Sequence, residues 1–124
     1  HSQIRNLVRR LRELDMISIV CADDLKEVKT LSLFSPDFLA IEPPELIGKG
    51  IAVSKANPSI IKDSVQVVKG ISSTVKVLCG AGIVDKTDVE KAIELGAEGI
   101  LISSGVVKSP SWYNKILELS SVLK

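Results

Sequence analysis

Aromatic residues are scarce in this chain of 124 residues: one Trp, one Tyr and two Phe make up 3% of it. Its core must therefore be packed by Val, Ile and Leu, and at this length about two-thirds of the unfolded surface can be buried, enough for one such core. Histidine occurs once, as the first residue, and cysteine twice, at Cys21 and Cys79. Tetrahedral zinc wants about four ligands, so no metal site is expected. With no Cys-x-x-Cys pair and no secretory leader, the cysteines read as reduced thiols of a cytoplasmic protein and as small buried hydrophobes. No run of about 18 apolar residues is present to span a bilayer. Neither charge dominates: 16 Lys and Arg stand against 15 Asp and Glu, net +1, mixed along the chain, which offers nucleic acid no basic stripe. What is there is 45% hydrophobic residues in a regular pattern, the mark of one soluble globular domain or part of one. Because the chain begins with His1 rather than Met and runs directly into a helical pattern, a preceding segment is expected.

Short apolar runs alternate with helical patterns throughout, which predicts strand-helix units and a parallel sheet. An opening helix has Ser2 as its cap, an apolar stripe of Ile4, Leu7, Val8, Leu11 and Leu14, and arginines on its solvated face. Strands are expected at Ile17 to Cys21, Phe38 to Glu42, Val75 to Gly80 and Gly99 to Ser103, each β-branched-rich and too short for a helix. Three crossover helices are marked by the Asp24-x-x-Glu27 capping pattern, by Asn57-Pro58, and by Gly70 and Gly96 after the last periodic residues. A final helix from Pro110 to Val122 turns Ile116, Leu117, Leu119 and Val122 inward, and Trp112 with Tyr113 packs it. Residues 1–124 thus read as a single α/β unit.

The second strand-to-strand interval, from 38 to 75, is much longer than its neighbours, and the excess lies in Glu42-Pro43-Pro44-Glu45-Leu46-Ile47-Gly48-Lys49-Gly50. A long loop at a strand's carboxyl end is where α/β folds carry function. Glu42 ends an apolar strand, and the following Pro43 holds its backbone extended, aiming the side chain at the strand mouth. It is either a general base that a closing loop desolvates or a solvated strand-end carboxylate. Paired prolines, a small apolar tip and paired glycines make residues 43–50 either a lid moving as a unit or a plain surface loop. Cys79-Gly80-Ala81-Gly82-Ile83 and Ser103-Ser104-Gly105-Val106 are small-residue turns whose N–H groups can approach an anion closely. Each alone reads more simply as a tight strand-to-helix turn. Together with Gly48 they form a set in which a phosphate would fit. His1 is either a frayed end or a neutral imidazole able to polarise a carbonyl.

The lid segment, both small-residue turns, Val53-Ser54-Lys55-Ala56-Asn57-Pro58 and the opening His1-Ser2 closely resemble archaeal triosephosphate isomerase. That family interconverts glyceraldehyde 3-phosphate and dihydroxyacetone phosphate through an enediol(ate), without metal or cofactor. The resemblance implies that Glu42 is the base, His1 the neutral electrophile, Pro43, Pro44, Glu45, Leu46, Ile47, Gly48, Lys49 and Gly50 the lid, and the N–H groups of Gly48, Gly82, Ser103 and Ser104 the phosphate cradle. The expected substrate is a phosphorylated three-carbon sugar.

The resemblance covers this chain but only the second half of the family's barrel, since a full (β/α)8 barrel takes about 250 residues. The fold expected is therefore a carboxyl-terminal half barrel, a partial TIM-barrel domain of four parallel strands alternating with helices. Such a half leaves two sheet edges and an apolar inner face open, so it should pair with itself as a homo-oligomer or take up the missing amino-terminal half. The family's Lys near its first loop has no counterpart here. Gln3 stands where the family carries Glu after His-Ser, and Lys49 where the lid carries Thr. An anion-binding half barrel without turnover is the alternative these departures leave open.

Overall fold

β-branched runs become strands close to where the pattern predicts, trimmed at their ends. The computed structural model describes residues 1–123. Their order is α1 (Ser2–Glu13), β1 (Ile19–Ala22), α2 (Leu25–Ser32), β2 (Phe38–Ile41), α3 (Val53–Ala56), α4 (Pro58–Ile71), β3 (Lys76–Cys79), α5 (Lys86–Glu94), β4 (Gly99–Ile100), α6 (Ser104–Val107) and α7 (Trp112–Ser120), with a 3-10 turn at Pro44–Leu46. All strand pairs are parallel and the sheet runs β1-β2-β3-β4, with Ile19 opposite Phe38, Phe38 opposite Lys76, and Leu78 opposite Gly99. Sequential parallel strands joined by helices are the wall of a (β/α)8 barrel, here four strands of it.

Period-two alternation divides the strands into two faces. Ala22, Leu39, Ile41, Val77 and Cys79 point to the helix side and join Val28, Leu31, Ile61, Val68 and Val89 in the core. Each fully buried Leu, Ile or Val there contributes about 1.5–3 kcal/mol over the exposed side chain. The opposite face carries Ile19, Cys21, Phe38, Ala40, Lys76 and Leu78, and it is open at β1, where Ile19 is 49% exposed and Cys21 is exposed too. Cys79 is buried as its apolar strand predicts, whereas Cys21 is not, because it sits on an edge strand with no neighbour on its outer side.

Several boundaries differ from the sequence reading for local reasons. β1 starts at Ile19, not Ile17, because the N–H and hydroxyl of Ser18 both donate to Asp37 Oδ2, at 2.8 and 2.7 Å. β4 is two residues long, since its partner β3 stops at Cys79; Leu101 N–H still reaches Cys79 O at 3.0 Å. At the start of α1, His1 occupies the cap position and Ser2 is already helical, with no side-chain cap bond. Of the α1 stripe, Val8 is buried, while Leu7 and Leu14 are exposed. Asp24 caps α2 through Glu27 N–H as expected, but Asn57 Oδ1 takes the Ser59 hydroxyl instead of capping α4. Gly70 lies inside α4, which ends at Ile71, and only Gly96, at φ +101°, closes a helix from outside. α7 is shorter than expected, capped by Ser111, and only Leu119 of its four inner candidates is buried; Ile116, Leu117, Trp112 and Tyr113 are exposed. α7 borders the open edge at β4, so these side chains find little of this chain to cover them.

The Ser18–Asp37 junction ties β1 to the entry of β2, and Asp37 N–H donates back to Ser18 Oγ at 3.0 Å. These hydrogen bonds, chiefly the Ser18 N–H, hold the Asp37 carboxyl below its ordinary 3.8. A depressed carboxylate stabilises the fold above its unfolded value, and the effect is lost as pH falls through the folded one. The thermal midpoint is therefore expected to drop as pH falls below 3.8. An Asp37→Asn variant, melted over the same series, should show a flatter acid limb.

Candidate active site

Glu42 follows β2 directly, and its N–H donates to Ala22 O at 2.9 Å, so the sheet ladder fixes its backbone. Its side chain is half-buried and lies across Gly80 at the end of β3. A Cβ on Gly80 would collide with Glu42 Cγ and stand 2.6 Å from Oε1. Glycine at this position is what lets the carboxylate lie flat on the strand mouth.

A cavity of about 310 Å³ opens there, lined by Glu42, Ile47, Gly48, Ala81, Gly82, Ile83, Leu101, Ile102, Ser103 and Ser104. It therefore gathers the candidate base, the lid tip and all four candidate cradle residues, at a size near the lower end for small-molecule sites, about 300–1,000 Å³. The backbone N–H groups of Gly48, Gly82, Ser103 and Ser104 donate to no acceptor among the described residues. Ala81 (φ +53°) and Gly82 (φ +72°) are both left-handed, which turns the loop after β3 sharply toward the lid. An anion is the natural acceptor for so many free donors in one small space.

The lid candidate is stiff at its entry and free at its exit. Pro43 is buried, and the 3-10 turn is closed by Leu46 N–H to Pro43 O at 3.0 Å and Ile47 N–H to Pro44 O at 3.3 Å. Leu46 packs against the core, while Ile47, Lys49 and both glycines are exposed, with Gly48 at φ +71° and Gly50 at φ +69°. The chain becomes fully buried again at Ala52, Val53 and Ser54.

His1 is not gathered into this cavity. It lines a separate one with Asp23, Asp24, Lys26, Glu27 and Thr30, and its Nε2 lies 3.7 Å from Glu27 Oε1. Its place at the start of α1 ties it to the solvent side of α2. Among the described residues, no three His, Cys, Asp or Glu side chains converge into a metal-holding group.

Sequence reasoning missed Cys21 as a neighbour of Glu42. Cys21 pairs with Ala40, and Glu42 is two residues further along the same face, so strand register would have revealed it. Although the residue as a whole is exposed, packing around its sulfur and then the Glu42 carboxylate push the thiol up to about 12. Since the thiolate is the reacting species, alkylation of Cys21 at pH 8 is expected to be far slower than that of an ordinary surface cysteine. Glu42→Gln, by removing the carboxylate's charge, should accelerate it. Iodoacetamide labelling followed by peptide mass spectrometry measures both rates.

Residues 1–120 match the family model for triosephosphate isomerase. The chain is 50% identical over 121 residues to the triosephosphate isomerase of Cenarchaeum symbiosum (strain A), covering 98% of this chain and 54% of that protein. It is 48% identical over 118 residues to that of Methanothermus fervidus, covering 95% and 53%, and 48% identical over 116 residues to that of Archaeoglobus fulgidus, covering 94% and 52%. The chain thus spans about half the length of the curated relatives it matches. Among solved structures, the Amycolatopsis orientalis BexX/CysO complex superposes at a TM-score of 0.70 with 20% identity, over 98% of this chain and 47% of that one. A mutant flavocytochrome b2 with pyruvate bound superposes at 0.68 with 15% identity, over 97% and 31%. At such identities these two likenesses concern the fold alone.

Proposed function

The chain belongs to the triosephosphate isomerase family, and we propose that it supplies the base, lid and phosphate cradle of a cytoplasmic enzyme interconverting glyceraldehyde 3-phosphate and dihydroxyacetone phosphate. The observation that carries this reading is the single cavity shared by Glu42, the lid tip and four unengaged backbone N–H groups. The substrate phosphate accepts from Gly48, Gly82, Ser103 and Ser104, which fixes the carbon chain against Glu42. Glu42 takes a proton from the carbon next to the carbonyl, and the electron pair moves onto the carbonyl oxygen as the enediol(ate) forms; the neighbouring hydroxyl then passes its proton to that oxygen and becomes the new carbonyl as the proton on Glu42 returns to the adjacent carbon. Closure of residues 43–50 over the cavity excludes water and holds the intermediate. His1 serves as the electrophile at the carbonyl oxygen once it leaves the Glu27 side for the barrel mouth.

A second reading has its own support. His1 lines a different cavity from Glu42. On that reading the chain binds phosphate-type anions without turning them over.

Both readings are separated by assaying the purified chain with glyceraldehyde 3-phosphate, alone and mixed with the amino-terminal part of the Cenarchaeum symbiosum relative that this chain does not match. Turnover that appears in either sample and disappears with Glu42→Gln is the expected result. Saturable binding of 2-phosphoglycolate with no turnover in either sample would leave only the anion-binding reading. If neither binding nor turnover is seen, both readings fall.

A further inference from the structure

Where the lid returns to the fold, α3 is joined to the start of α5 by a charge pair between an exposed lysine and a buried aspartate that the site itself does not use. Lys55 Nζ lies 2.6 Å from Asp88 Oδ1, and Asp88 is 3% exposed. The other carboxylate oxygen, Oδ2, accepts the N–H groups of Val84 at 2.9 Å and Asp85 at 3.2 Å. Asp88 therefore grips the last residues of the turn that leaves β3 through Gly82. Oδ1 has no hydrogen bond of acceptable angle, so the Lys55 charge is its compensation. Two further contacts run across the same seam: Ser54 Oγ donates to Asp88 O at 3.3 Å, and Lys55 Nζ donates to Thr87 Oγ1 at 3.2 Å.

The seam ends at the cavity. Val53 N–H donates to Ala81 O at 3.3 Å, and Gly82 is so close to the lid's exit that a Cβ there would collide with Ile51 O. One side of the junction is thus residues 51–55, leading out of the lid, and the other is residues 81–88, leading out of the cradle. Nothing in the hydrogen-bond ladder of the sheet fixes the first segment against the second. The Lys55–Asp88 pair does, at the surface end of a seam that also holds the Val53–Ala81 and Ser54–Asp88 hydrogen bonds.

We infer that Lys55 and Asp88 are positioning residues: they clamp the lid's exit onto the Gly82 turn, and so set the distance between the closing segment and the phosphate cradle. This rests on the proposed lid and cradle, with neither residue touching the substrate. A buried carboxylate stripped of its partner costs stability wherever it lies. A clamp has a narrower signature, a loosened lid exit and a weakened cradle even when the charge imbalance is repaired. The double variant Lys55→Met/Asp88→Asn repairs it, because the Asn carbonyl oxygen can still accept the Val84 and Asp85 N–H groups while both charges are gone.

The test compares the unaltered chain, Lys55→Met, Lys55→Arg and the double variant by thermal unfolding, by amide hydrogen exchange at Val53, and by titration with 2-phosphoglycolate followed at the Gly82 amide. The expected result is a midpoint near the parent's in the double variant, together with Val53 exchange at least tenfold faster and affinity about tenfold weaker, and recovery of both in Lys55→Arg. If the double variant recovers Val53 protection and affinity along with stability, the pair is only structural and the clamp is refuted. If the unaltered chain binds no 2-phosphoglycolate, the cradle reading fails separately. The exchange rates then decide the mechanical clamp by themselves, with unchanged Val53 protection overturning it.

Discussion

On the proposed function, Glu42→Gln is expected to lower triose phosphate isomerisation by about 10²- to 10⁴-fold, the range supplied by a positioned general base. An amide has nearly the shape of the carboxylate but no affinity for a proton at neutral pH, so the substitution separates chemistry from packing. The geometry makes that separation clean. Glu42 is held by its own N–H to Ala22 O and by Pro43 behind it, and its side chain rests on Gly80, where Gln occupies the same space. The four N–H donors of the proposed cradle are backbone groups and do not depend on residue 42. Affinity for 2-phosphoglycolate should therefore change much less than turnover, and exchange of substrate hydrogen with solvent should fall in step with turnover. Turnover within tenfold of the parent, in a variant shown to be folded, would remove Glu42 from the role of base.

The architecture was legible because its signals are local. Apolar, β-branched-rich runs of five or six residues, an Asp24 cap and a Gly96 stop are each decided by neighbours in sequence, and the four parallel strands follow from them. The backbone of the candidate lid and cradle was legible for the same reason, since Pro43-Pro44 and the glycines at 48, 50 and 82 impose backbone conformations wherever they stand. What escaped is set by contacts distant in sequence. Ile17 and Ser18 look like strand, yet Asp37 captures Ser18 before the ladder begins. Ile116 and Leu117 look like core, yet α7 lies where the sheet ends at β4. Cys21 beside Glu42 needs the register of β1 on β2, and Lys55 with Asp88 joins positions 33 apart that no periodicity connects. The electrophile role of His1 came from a family resemblance to a longer protein, and its position near Glu27 is likewise set by a contact distant in sequence.

Gly82→Ala should be the most damaging single methyl group that can be added near the site, and Gly48→Ala is its natural control. Both glycines hold nearly the same backbone, at φ +72° and +71°, so an alanine at either meets the same left-handed penalty of about 1–2 kcal/mol. Their surroundings differ. At Gly48 a Cβ meets nothing within 4 Å, whereas at Gly82 it runs into Ile51 O and stands 2.9 Å from Ala52 N. Those obstacles are backbone, and Ala52 and Val53 behind them are buried, with Val53 bonded to Ala81 O. Neither side can move without breaking the lid's attachment, so overpacking adds about 1–3 kcal/mol to the conformational cost. The expected total for Gly82→Ala is about 2–5 kcal/mol, enough to lower the thermal midpoint by roughly 10 °C or more in a chain of this size. Gly48→Ala should lose only the first part. Anion binding should follow the same order, because displacement of Ile51 from Gly82 pulls the lid's exit off the cradle while leaving Glu42 on Gly80. Equal midpoints for the two variants would mean that the turn after β3 yields to the added methyl group, and that Gly82 is required for its backbone angle alone.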